Sequence, residues 1–566
     1  MSDIENQPSE VEIIKQNSNY LRGTIQESLE NEITGALAAD DTTLIKFHGS
    51  YQQFDRDLES ERKRQKLEPL YSFMIRIRLP GGIATSTQWQ VIDQLADRNA
   101  NGTIKLTSRQ AFQLHGVYKT NLKKSIREIN LAFLDTIAAC GDVNRNVMCN
   151  PNPYQSPLHA ETFDLAKRIS QHLTPKTSAY LEIWLDKKRF SEDHKDEEPI
   201  YGKTYLPRKF KIAIAVPPHN DCDIFANDIG LIAIEDDGTL SGFNIAVGGG
   251  LGMTFGNTGT YPRLATVIGF IYKDEVINVV EQIVRIQLDF GNRSDRKNAR
   301  LKYTLDAMGV EPFKQELEKR LGYILEGSKP YHFITSGDTY GWIKGTNMTW
   351  HLTLFIEGGR IRDTPDSRLK TALKKIAESH TGDFRLTGNQ NLIIANIPDA
   401  NKKQVIEILL ENRVWPNQQQ TGLRLNSLAC VALNTCSLAF AEAERYLPSL
   451  IDKLDQIILA NQLEKEPIII RMTGCPNGCA RPYLGEIGFV GKSPGRYNLY
   501  LGAGFSGERL NKLYRENISE PEILEVLTPI LEDYAKNRTI HEHLGNFVVR
   551  KGYVKATTEG TNFHDQ

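Results

Sequence analysis

Phe73-Met74-Ile75-Arg76-Ile77-Arg78-Leu79-Pro80-Gly81-Gly82-Ile83 precedes a helical pattern around Trp89 to Ala96 and then Ile104-Lys105-Leu106-Thr107-Ser108-Arg109-Gln110-Ala111-Phe112. Much later, Leu352-Thr353-Leu354-Phe355-Ile356-Glu357-Gly358-Gly359 precedes a helical stretch around Leu369 to Ala377 and then Phe384-Arg385-Leu386-Thr387-Gly388-Asn389-Gln390-Asn391-Leu392. The Gly-Gly pairs lie 277 residues apart and the Leu-Thr pairs 280, so one three-residue insertion reconciles the copies. Each reads strand, turn, helix, strand.

The duplication extends outward. Asn146-Val147-Met148-Cys149 lies 281 residues before Ser427-Leu428-Ala429-Cys430. Asp228-Ile229-Gly230-Leu231 through Gly248-Gly249-Gly250 echoes Glu486-Ile487-Gly488-Phe489 through Gly502-Ala503-Gly504. Gly248 to Gly252 lacks the spacing of a dinucleotide loop and recurs in the second half, which predicts a strand-end turn. The fold class is therefore α+β: small and large α/β units, repeated once, with pseudo-twofold symmetry around a central cleft. The predicted divisions are an N-terminal arm (1–70), a small unit (71–140), a large unit (141–340), a second small unit (341–420) and a second large unit (421–566). The charge run Asp55 to Glu68 reads as a solvated helix or arm.

With 68 Lys+Arg against 70 Asp+Glu, the net charge of −2 gives no global reason to expect nucleic acid or an anionic membrane as partner. No apolar run reaches the ~18 residues of a membrane-spanning helix, and the polar start has no secretory pattern. Seven cysteines in so long a chain do not read as a disulfide framework. A reduced, cytoplasmic enzyme or binding protein is expected.

Four of the cysteines are paired: Cys430-x5-Cys436 and, 38 residues on, Cys475-x3-Cys479. Four thiolates are the usual complement of an iron–sulfur cluster or a structural zinc. Neither spacing is that of a zinc ribbon or of a bacterial ferredoxin. Spacing alone leaves a 4Fe–4S cluster, zinc and buried free thiols open. Cys149 aligns with Cys430 but has no companion pair, which predicts an inert buried thiol.

The copies have specialised. Arg76 aligns with Thr353 and Arg109 with Asn389, so the first half carries cations where the second is neutral. Further cations are Arg78, Lys105, Arg145, Arg208, Lys209, Lys211 and the stretch from Arg293 to Lys302. Strand alternation puts Lys209 and Lys211 on one face. Neighbouring ammonium groups lower each other's pKa, which suits an anion site that must also release protons. Face-to-face halves would then set cations opposite thiolates.

The two cysteine pairs, with Thr473-Gly474-Cys475-Pro476-Asn477-Gly478-Cys479 around the second, resemble the signature of the sirohaem- and 4Fe–4S-containing sulfite and nitrite reductases. From Asn17-Ser18-Asn19-Tyr20-Leu21-Arg22-Gly23 to Gly552 the chain is similar to the haemoprotein (beta) subunits of NADPH-dependent assimilatory members. The resemblance implies that Cys430, Cys436, Cys475 and Cys479 hold one 4Fe–4S cluster, with Cys479 also the axial ligand of sirohaem. It implies that Arg76, Arg145, Lys209 and Lys211 surround sulfite, and that Arg109, Gln113, Arg208, Arg300 and Asn477 contact sirohaem. The implied activity is the six-electron reduction of sulfite to sulfide in sulfur assimilation and cysteine biosynthesis. No Rossmann fingerprint is present, so electrons must come from a partner. The resemblance implies an NADPH-oxidising flavoprotein (alpha) subunit, docked partly through the N-terminal arm. Beside this stand a ferredoxin-dependent sulfite or nitrite reductase and, from another class, a zinc-stabilised binding protein.

Overall fold

The computed structural model describes residues 7–151, 156–187, 198–415 and 420–565. Two five-stranded sheets form the small units. The first has the order β1 (Ser50–Phe54), β2 (Tyr71–Ile77), β5 (Phe112–Val117), β4 (Ile104–Leu106), β14 (Arg360–Ile361). The second has the order β12 (Gly341–Lys344), β13 (Trp350–Leu354), β16 (Leu392–Ile397), β15 (Asp383–Leu386), β3 (Ile83–Thr85). The helix Ser86–Asn99 follows β3, its start fixed by a reciprocal capping box between Thr85 and Gln88.

β3 leaves its own unit to pair with β15, Ile83 opposite Arg385, while β14 pairs with β4, Arg360 opposite Lys105. The halves thus exchange edge strands reciprocally, and the small units are not self-contained sheets. The repeated glycines explain the crossing. Gly82 (φ +78°) sits where a Cβ would stand 2.4 Å from the Leu386 carbonyl oxygen; Gly359 (φ +66°) sits where one would stand 2.6 Å from that of Leu106. Only glycine tolerates both the left-handed backbone and the approach.

The large units repeat as well. In the first, β6 (Ile212–Ala215) runs parallel to β8 (Ile229–Asp236), followed by β9 (Thr239–Val247) and β10 (Thr266–Tyr272). In the second, β17 (Ser427–Ala429) and β18 (Ile470–Thr473) run parallel to β19 (Ile487–Ser493), followed by β20 (Arg496–Leu501) and β21 (Lys512–Ile518). Met148 bridges Ala213 in parallel, the position that Ala429 and Met472 hold in the other copy. The short strands β7 (His219–Asn220) and β11 (Thr335–Ser336) pair separately. Gly248 follows the end of β9 with φ +81°, the expected strand-end turn.

The N-terminal segment differs from the expected arm. Leu21, Ile25, Ile45 and Phe47 are buried in the core that joins both small units and the first large unit, and β1 is part of a sheet. Arg22 pairs with Glu182 at 2.7 Å and Ser18 and Leu21 are buried, while Asn17, Asn19 and Gly23 stay exposed. Apolar residues spaced singly among polar ones concealed this. The helix Glu59–Arg64 has no buried residue, as the charge run predicted.

Candidate cofactor and substrate cavity

Between the halves lies a cavity of about 470 Å3. One wall carries Cys430, Cys436, Cys475 and Cys479; the other carries Arg76, Gln113, Arg145, Arg208 and Lys209, with Asn477 at the edge. An adjoining annex of about 40 Å3 brings Arg109, Lys211 and Arg300 to Lys209, Asn477 and Cys479. The cleft thus gathers every residue that the family resemblance assigned to the site, whereas Arg78 lies outside it, paired with Asp135 at 2.6 Å, and Arg293 pairs with Glu12.

The thiol wall is built from strand ends. Cys430 follows β17 and Cys475 follows β18, parallel neighbours whose ends lie side by side. Gly474 between them has no room for a side chain, since a Cβ would lie 2.6 Å from the Ala441 oxygen, and its N–H donates to Cys430 Sγ at 3.4 Å. Arg56 Nη1 clamps the Cys436 loop by donating to the carbonyls of Cys436 (3.2 Å) and Ala439 (2.7 Å). Burial, then the neighbouring Cys479, pushes the Cys475 thiol up to about 12, and Cys430 and Cys436 rise for the same reasons. Such thiols gain by giving up their protons to a soft metal. Among the described residues no three His, Cys, Asp or Glu side chains close on a single ion.

On the cation wall, Arg76 and Gln113 are cross-strand neighbours on β2 and β5. With its amide oxygen turned inward, Gln113 accepts from Arg76 Nε at 3.0 Å. Arg76 Nη1 also donates to the buried Cys140 Sγ at 2.9 Å. Arg145 is held by the Gly141 carbonyl at 3.0 Å. Arg109 donates to Asn227 Oδ1 (3.0 Å) and the Ile212 carbonyl (2.9 Å), leaving its buried Nε without a partner. Arg300 is already paired with Asp228 at 2.8 Å, and Arg208 lies 3.9 Å from Asp142. Burial, then Arg208, Arg145 and Arg300, pushes Lys209 down to about 7; burial and Lys209 lower Lys211 well below its usual range. Neither ammonium group pairs with a carboxylate among the described residues, although the Lys211 backbone N–H donates to Asp228 Oδ2 at 2.9 Å. Buried cations in excess of their partners require an anionic occupant, and a polycarboxylate macrocycle supplies one. The donor set therefore fits both sirohaem and a 4Fe–4S cluster.

Cys149 is buried, and burial drives its thiol pKa up, as its inert role predicts. Sequence reasoning missed Tyr51 on β1, which lines the cavity with Arg76 below its ring, 5.9 Å from the centroid. It also missed Arg481, which lines the annex and donates to the Ser108 and Gly388 carbonyls. A cation two residues beyond Cys479 was the available signal; Tyr51 lay outside both repeats and offered none.

The model of the "Nitrite and sulphite reductase 4Fe-4S domain" matches residues 165–325, and that of the "Nitrite/Sulfite reductase ferredoxin-like half domain" matches 65–132 and 343–412. Curated relatives named "Sulfite reductase [NADPH] hemoprotein beta-component" are 60% identical in Anoxybacillus flavithermus, over 99% of this chain and 98% of that one, and 58% identical in Staphylococcus saprophyticus, over 98% of each. The chain belongs to the nitrite and sulfite reductase family. The solved structure of Mycobacterium tuberculosis NirA shares the fold, with a TM-score of 0.76 over 97% of both chains at 23% identity. The two half-domain matches are the duplicated small units of this family member, while the 4Fe–4S domain match falls on the first large unit and the paired cysteines on the second.

Proposed function

We propose that this chain is the haemoprotein component of an assimilatory NADPH-dependent sulfite reductase, carrying sirohaem and one 4Fe–4S cluster. The observation that carries the reading is one cavity that gathers four thiols with more buried cations than carboxylates to pair them. The reaction is HSO3⁻ + 6e⁻ + 6H⁺ → HS⁻ + 3H2O. Bound sirohaem and cluster supply the electron path and the iron that holds sulfur.

The chain's own residues bind the anion and move protons. Arg76 and Arg145 carry planar guanidinium forks that suit fixed contacts to sulfite oxygens. Lys209 and Lys211, with lowered pKa values, hold protons loosely enough to release them as S–O bonds break. Arg109, Gln113, Arg208, Arg300 and Asn477 would hold the macrocycle, and Cys479 would ligate the haem iron as well as join Cys430, Cys436 and Cys475 in holding the cluster. Electrons enter from an NADPH-oxidising flavoprotein subunit; the name shared by the relatives supports this donor over a ferredoxin. The working compartment is the cytoplasm, where thiols stay reduced; no described helix is long and apolar enough to cross a membrane.

An absorbance spectrum with metal counts tests the reading. Haem-like bands and about five irons per chain are expected. Stoichiometric zinc without iron, or iron without sulfite turnover, would overturn it.

A further inference from the structure

Behind the cluster wall lies a buried ionic group that the proposed chemistry does not use. Lys105 on β4 donates to Glu444 Oε2 at 2.7 Å, and its side chain is 2% exposed. Arg360, delivered by the exchanged strand β14, donates to Glu444 Oε1 at 2.7 Å. The backbone N–H of Glu444 donates to the Cys430 carbonyl at 3.0 Å. Lys105 also donates to the Gly358 carbonyl and lines the main cavity together with Cys430. Three distant pieces of chain therefore converge on one ligand loop: the first small unit, the second, and the segment following Cys436.

Two cations and one carboxylate leave a net charge of +1 in a poorly solvated place. Surface-exposed pairs are blunted by water, but buried charge acts at range. A positive charge beside an electron carrier favours its reduced, more negative form. A merely structural clamp has no need of the second cation, since one would neutralise Glu444.

We infer that Lys105, Glu444 and Arg360 act as a positioning group that both fixes the Cys430 loop and raises the reduction potential of the cluster held there. The inference rests on the four cysteines holding that cluster. Its specific content is a sign: removing a cation lowers the potential, and removing the carboxylate charge raises it.

The experiment is a redox titration of the purified holoenzyme, following the reduced cluster by electron paramagnetic resonance, for wild type, Lys105→Met, Lys105→Arg and Glu444→Gln. Lys105→Met is expected to shift the midpoint down and Glu444→Gln up, with Lys105→Arg restoring the wild-type value. Shifts of the same sign in both variants, or none while the cluster stays intact, would overturn the inference. Should Lys105→Met fail to retain iron, the Glu444→Gln and Lys105→Arg pair still decides: an upward shift in the first with none in the second supports it, and any other pattern refutes it. A wild-type protein without a reducible cluster would instead refute the reading on which the inference rests.

Discussion

Residues 107–111 and 387–391 have the same backbone and opposite purposes. In both, a threonine Oγ accepts from the N–H groups two and four residues on: Thr107 from Arg109 and Ala111, Thr387 from Asn389 and Asn391. In both, the glutamine at the fourth position has positive φ, +50° at Gln110 and +68° at Gln390. The side chains then part. Arg109 reaches the annex of the open cleft. Asn389 and Asn391 donate to Asp338 instead, and the space left beside Asn389 and Asp338 is a pocket of about 10 Å3. Duplication preserved the loop, and a change of hydrogen-bond partners decided which copy stayed open.

The strongest test of this division lies at the thiols. Cys479→Ser should remove haem bands and cluster iron together and abolish turnover, because oxygen is a poor bridge for soft iron. Its counterpart test, Cys149→Ser at the position matching Cys430, should leave both spectra intact. Loss of cofactors from Cys149→Ser would break the assignment of chemistry to one half.

If the shared backbone is as symmetric as the glycines indicate, Gly82→Ala and Gly359→Ala should cost similar stability. Each forces a side chain into left-handed backbone and against a carbonyl, at a cost of roughly 3 kcal/mol. Thermal unfolding of both variants checks this. A large shift in only one would show that the crossing is specialised too.

Lys211→Asn brings the cation wall nearer the neutral character of the other copy. Sulfite turnover should fall roughly tenfold, the order of one charge-assisted contact. Nitrite turnover should fall less, at unchanged haem content. Equal loss of both would remove the reason to assign Lys211 to sulfite.

The smallest effect concerns pH. Burial and neighbouring guanidiniums lower Lys209 to about 7, so it is charged below that pH and neutral above it. Uptake of an anionic macrocycle by cofactor-free protein should weaken severalfold as pH rises through ~7. Lys209→Met should flatten that dependence in an absorbance titration.

Much of this was legible in sequence because it repeats or carries unusual chemistry. The copies announce themselves through Gly81-Gly82 and Gly358-Gly359, and the thiols through spacing. The neutral mates of Arg76 and Arg109 marked those two arginines as more than surface charge. The exchange of β3 and β14 was not legible: strands of two or three residues carry no periodicity, and their partners lie 302 and 255 positions away, Arg385 from Ile83 and Arg360 from Lys105. The part played by residues 20–54 was also hidden, since Tyr51 and Phe47 act through tertiary packing rather than any local pattern.

The strand exchange bears on what happens if the chain is divided. A first half produced alone would leave β4 with an unpaired edge and carry β3 with nothing to join; a second half would have the reverse defect. Exposed edges of this kind recruit other strands, and two fragments that each hold the other's missing strand are matched for one another. Separated halves would therefore behave as obligate complements, insoluble singly and recovered as a heterodimer when made together.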